Sequence, residues 1–96
     1  MKRTEQQTVW ELLEQLFKRP NIAAKIAEGA LPDTWRQVVG PIVAEQTRQV
    51  RLVKGVLYVH VTSAVIRTEL MMQRDALARA INQKAGVNLV NQVVIQ

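Results

Sequence analysis

The sequence predicts a small α+β domain, a two-layer sandwich in which helices cover one face of a three-stranded sheet, with elements in the order α, α, β, β, α, β. Three observations lead to this reading. Residues 8–39 repeat their apolar side chains at helical steps, residues 49–62 switch to alternation around a Lys54-Gly55 joint, and a long run of helix formers is followed by a β-branched C-terminal stretch. A chain of 96 residues admits one hydrophobic core, so residues 1–96 are read as a single domain.

In the first helical stretch, Val9, Leu12, Leu13, Leu16 and Phe17 recur at spacings of three and four and form one stripe, and Pro20-Asn21 close it. Residues 22–39 carry a second pattern through Ile22, Ile26, Leu31, Trp35, Val38 and Val39. Its interruption near Gly29 and Pro32 predicts a short helix, a break, and a helix capped by Asp33 or Thr34. Gly40-Pro41 punctuates the chain again and permits another helical turn over 41–46. Val50 and Leu52, then Leu57, Val59 and Val61, alternate with polar neighbours, and Gly55 supplies the positive φ of a tight hairpin. Thr62-Ser63 offers caps for one long helix over 64–85, with Ile66, Leu70, Leu77 and Ile81 buried and Arg67 and Arg74 sharing another face. Gly86 stops it, and residues 89–95 supply the last strand. The uncovered sheet face is expected to carry Gln49, Arg51, Tyr58 and His60.

Composition narrows the function. The apolar fraction of 48% and charged fraction of 22% are those of a folded, soluble protein. Residues 1–7 are polar and lack a signal-peptide core, and no run approaches the ~18 apolar residues of a membrane span. The absence of cysteine removes disulfides, thiolate metal sites and a cysteine nucleophile, and it fits a cytoplasmic protein. His60 is the only histidine, Glu11 and Glu14 read as a solvated helix face, and Gly29, Gly40, Gly55 and Gly86 are too dispersed to cradle a phosphate. The sequence therefore predicts no enzyme, no metal site and no cofactor.

What it does carry is positive charge. Thirteen Lys and Arg against eight Asp and Glu leave a net +5, a balance that favours polyanionic partners. Arg48, Arg51 and Lys54 fall on or beside the first strand, Arg67 and Arg74 on the helix that follows the hairpin, and Tyr58 is available to stack a base. If these side chains meet, they form a nucleic-acid-binding track; if they scatter, they are solvated charges. Trp35 reads as core, whereas Trp10, at the margin of its stripe, and Met71 are candidate protein-partner contacts.

Four segments, Trp35-Arg36-Gln37-Val38-Val39-Gly40, Gly55-Val56-Leu57-Tyr58-Val59-His60-Val61, Ser63-Ala64-Val65-Ile66-Arg67-Thr68-Glu69-Leu70 and Ile81-Asn82 ahead of Gly86, resemble the DciA family. This family was long catalogued as a bacterial domain of unknown function and was later linked to operating the replicative helicase. The resemblance implies a KH-like fold, DNA binding in preference to RNA, and a partnership with the replicative helicase during its loading or activation. The chain lacks the Gly-x-x-Gly loop with which KH domains clamp nucleic acid, so binding falls to its basic surfaces. Longer members carry a disordered tail that helps engage the helicase; a sequence ending at Gln96 is read as a short, single-domain form. Two other readings follow from the residues alone: a nucleic-acid module for RNA or single-stranded DNA with no helicase link, and a structural adaptor whose charge is incidental.

Overall fold

A computed structural model of the chain describes residues 8–96; the polar leader of residues 1–7 lies outside the described residues. Among the described residues six helices and three strands follow in the order α1 (Val9–Phe17), α2 (Pro20–Gly29), α3 (Leu31–Val39), α4 (Pro41–Glu45), β1 (Thr47–Val53), β2 (Val56–Val61), α5 (Ala64–Met72), α6 (Arg74–Ala85) and β3 (Gln92–Ile95). The strands form a mixed sheet in the order β1-β2-β3, antiparallel between β1 and β2 and parallel between β2 and β3. The parallel pairing requires a crossover, and α5 and α6 provide it. The predicted α+β class and the helix-covered sheet are both present.

The hairpin follows from its turn residues. Lys54 and Gly55 both adopt positive φ, 49° and 82°, the combination a two-residue type I′ turn requires. Positive φ is strained for lysine, and glycine relieves half of that cost. From this turn the register runs Val53↔Val56, Leu52↔Leu57, Arg51↔Tyr58, Val50↔Val59 and Gln49↔His60, with a bulge between Thr47 and Gln49. One sheet face therefore carries Val50, Leu52, Leu57, Val59, Val61, Val93 and Ile95, packed into the core with Trp35, Leu70, Leu77 and Ile81. Burying each such side chain stabilises the fold by about 1.5–3 kcal/mol. Trp35, 1% exposed, also joins three elements: its Nε1 donates to Thr47 Oγ1 at 3.0 Å, and that hydroxyl donates to the Val43 carbonyl at 2.8 Å.

The structure corrects four local expectations. The helix predicted to be capped by Asp33 or Thr34 starts earlier, at Leu31 with Ala30 as N-cap, because Pro32 fits its first turn; Asp33 lies inside that turn and Thr34 is buried. The long helix over 64–85 is two helices meeting at Gln73 (φ −116°, ψ 22°). No glycine or proline marks this break; α5 lies against β2 and β3 while α6 lies against α3 and β3, so tertiary packing sets it. The final strand is shorter than 89–95, since Leu89 and Val90 are buried ahead of β3 by side-chain bonding to Asn82. Finally, the apolar stripe of α1 forms as a helix, with a Thr8/Glu11 capping box, yet none of its residues is buried.

Candidate nucleic-acid interface

The register that buries alternate strand residues turns the others outward. Gln49, Arg51 and Val53 on β1, Val56, Tyr58 and His60 on β2, and Gln92 and Val94 on β3 line the uncovered face. Arg51, Tyr58 and Val94 lie in one row across the three strands, with the Arg51 guanidinium carbon 5.0 Å from the centroid of the Tyr58 ring. That geometry lies within cation–π range and holds a planar cation over the only tyrosine. The expected grouping of Gln49, Arg51, Tyr58 and His60 on the open face is therefore present.

Between Glu45 and Glu69 the sequence contains no Asp or Glu but does contain Arg48, Arg51, Lys54 and Arg67. Arg48 lies in the bulge and lines a groove between β1 and the helices with Pro32, Asp33, Trp35, Arg36, Thr47 and Val50 among others. Arg36, which no sequence pattern singles out, thereby joins Arg48. Residues 36 and 48 belong to α3 and β1 and share no local pattern, so only the tertiary fold pairs them. Lys54 projects at the hairpin tip, continuing the positive run past Arg51.

The other two arginines differ: Arg67 lies at the end of the sheet where Thr47, next to Arg48, pairs with Val61, and Arg74 lies in the helical layer. Arg67 is half-buried at the far end of β2, about 17 Å from the hairpin by the rise of the strand, where its Nη1 donates to the Val61 carbonyl at 2.6 Å. It holds α5 to the sheet, and one guanidinium nitrogen is committed to that bond. Arg74 opens α6 in the helical layer beside Met71, Met72 and Asp75. The break at Gln73 separates Arg67 and Arg74 onto different helices, so they do not share a helix face.

The two partner candidates also part company. Trp10 is 79% exposed on α1, where Val9, Leu12, Leu16 and Phe17 are exposed as well and only Leu13 is partly covered. Phe17 reaches a shallow apolar groove formed with Ile26, Ala27, Ala30 and Val87, so the stripe runs from α1 onto the domain. Met71 is exposed at the corner of α5 and α6, beside the more exposed Met72. Trp10 thus belongs to an extended apolar surface, and Met71 to a small, separate one.

Several residues of the sequence motifs prove to be architectural. Trp35 makes the indole bond to Thr47, Ser63 caps α5 by accepting from the Ile66 amide, and Arg67 donates to Val61. Asn82 accepts from the Leu89 and Val90 amides and donates to the Val90 carbonyl, all within 2.9 Å. Tyr58 and His60, by contrast, face outward. Among the described residues no group of His, Asp and Glu could hold a metal ion, and no helix is long and apolar enough to cross a membrane.

The family model described as "Dna[CI] antecedent, DciA" matches residues 8–95. The chain is 30% identical over 89 residues to a "UPF0232 protein in recF-gyrB intergenic region" of Mycolicibacterium smegmatis, covering 93% of this chain and 46% of that protein. It is 29% identical over 89 residues to a UPF0232 protein of Mycobacterium ulcerans, covering 93% and 48%. The chain thus spans about half the length of these curated relatives. With the match running from the capping threonine of α1 to the last residue of β3, the chain belongs to the DciA family.

Proposed function

We propose that this chain is a non-enzymatic, cytoplasmic DNA-binding factor that assists loading or activation of the replicative helicase. The observation that carries the DNA-binding part is a face and edge of one sign: Arg48, Arg51 and Lys54 beside Tyr58, in a stretch free of carboxylates. Phosphates neutralised there release counterions, and the Arg51–Tyr58 pair offers a flat surface for an unstacked base. Arg67 contributes from the Arg48 end of the sheet, with the part of its guanidinium not bound to Val61, and Arg74 contributes from the helical layer. Family membership supports the helicase link, and the exposed stripe containing Trp10 suits a protein partner, with Met71 in a secondary role.

The test combines DNA binding with helicase capture. Fluorescence anisotropy with single-stranded DNA, duplex DNA and RNA across a salt series reports the polyanion site. Arg51→Glu with Arg48→Glu should lower the slope of log K against log salt by about 0.7–0.9 for each phosphate that is no longer neutralised. Unchanged affinity in that variant would sink the proposed surface. Pull-down with the replicative helicase at low salt tests the second part; binding of nucleic acid without helicase would leave the general nucleic-acid module as the function.

A further inference from the structure

We propose that the free edge of β1 is a docking site for an extended acidic peptide, which joins the sheet as a fourth strand. β1 pairs with β2 alone and forms one border of the sheet. The direction of its peptide groups follows from the ladder. Gly55 and Val59 carbonyls accept from the β3 side, and the Val61 amide donates to it, so odd-numbered β2 residues face β3 and Val56, Tyr58 and His60 face β1. Their partners Val53, Arg51 and Gln49 are thereby satisfied, which leaves the amides and carbonyls of Val50 and Leu52 directed outward. Among the described residues neither makes a hydrogen bond to another element. A strand added here gains main-chain bonds at two consecutive outward positions.

The charges decide what the strand is. An incoming chain places alternate side chains on the two faces of the sheet. On the open face they meet Arg51 and, at the hairpin, Lys54; on the helical face they enter the groove carrying Arg36 and Arg48, where Asp33 is the only carboxylate among the lining residues. Acidic side chains are complementary on both sides. A second copy of β1 is not, because antiparallel self-pairing centred on Arg51 sets Arg51 against its own copy and Arg48 against Lys54, and like charges across a ladder are destabilising. The bulge before Gln49 confines the addition to the segment 49–53. This site goes beyond the DNA-binding reading and shares Arg48 and Arg51 with it, so peptide and DNA compete.

The probe is a synthetic peptide of alternating Glu and Val added to the wild-type, nitrogen-15-labelled chain. Amide exchange at Val50 and Leu52 is expected to slow by about tenfold or more while the β1–β2 ladder is unperturbed. The same peptide N-methylated at alternate residues keeps its charge but cannot extend the ladder, and it is expected to bind at least about tenfold more weakly. Equal binding of the two peptides would reduce the effect to bulk charge and overturn the proposal. So would unaltered exchange at Val50 and Leu52 under saturating peptide, or protection of those amides by a DNA oligonucleotide and not by peptide. DNA affinity measured separately by its salt dependence keeps failure of this site distinct from failure of the DNA-binding face.

Discussion

Asn82 illustrates how one side chain fixes a crossover. Its carboxamide holds both amides of Leu89 and Val90 and the carbonyl of Val90, the segment that delivers the chain from α6 to β3. Replacing it by Ala leaves two donors and an acceptor of buried residues without partners, and unfolding should become easier by about 2–4 kcal/mol. Urea denaturation measures this, and a loss below ~0.5 kcal/mol would mean that water replaces the carboxamide without penalty. The sequence motif Ile81-Asn82 flagged the position but not the reason, because the partners lie seven and eight residues ahead in a loop whose path is tertiary. Arg67 teaches the same point: its charge was visible in the sequence, its bond to the Val61 carbonyl was not.

Individual elements differ in how far local rules determine them. The β1–β2 hairpin was legible because Lys54-Gly55 and the alternation of Val50, Leu52, Leu57, Val59 and Val61 specify turn and register together. The division between α5 and α6 was hidden, since Met72-Gln73-Arg74 contains nothing that disfavours a helix and only the different packing of the two halves separates them. Periodicity identified the α1 stripe but could not say what covers it. With nine residues and no buried side chain, α1 is too short to be stable alone, and its capping box and its packing on α2 hold it. Trp10→Ala should therefore shift global stability by less than about 0.5 kcal/mol yet weaken helicase capture in a pull-down. A large stability loss would instead assign Trp10 to the core. Thr8→Ala removes one half of the capping box and should cost about 0.5–2 kcal/mol of helix stability, visible as reduced far-ultraviolet ellipticity with the sheet intact.

Across the whole molecule, the net charge of +5 is less informative than its distribution. Arg51 and Lys54 lie towards the hairpin, whereas Arg48 and Arg67 lie towards the opposite end of the sheet. The fold places Arg51 over Tyr58 on the open face near Lys54, pairs Arg48 with Arg36 in the groove beside β1, holds Arg67 at the Val61 end of the sheet, and leaves Arg74 in the helical layer. The sequence contained every one of these charges; which of them are neighbours depended on the packing of α3 on β1 and on the break at Gln73. If the three hairpin charges carry DNA affinity, a fourfold rise in salt should weaken binding roughly 20–40-fold. A salt-insensitive affinity would remove the phosphate backbone as the ligand.

The parallel pairing of β2 with β3 also bears on synthesis. The hairpin and the crossover helices leave the ribosome before the segment that completes the sheet, so the Leu57, Val59 and Val61 side of β2 waits with unsatisfied amides and carbonyls until β3 has cleared the exit tunnel. A nascent chain stalled with β3 still inside the tunnel should thus be protease-sensitive, and one extended by a few tens of residues should resist digestion while still tethered.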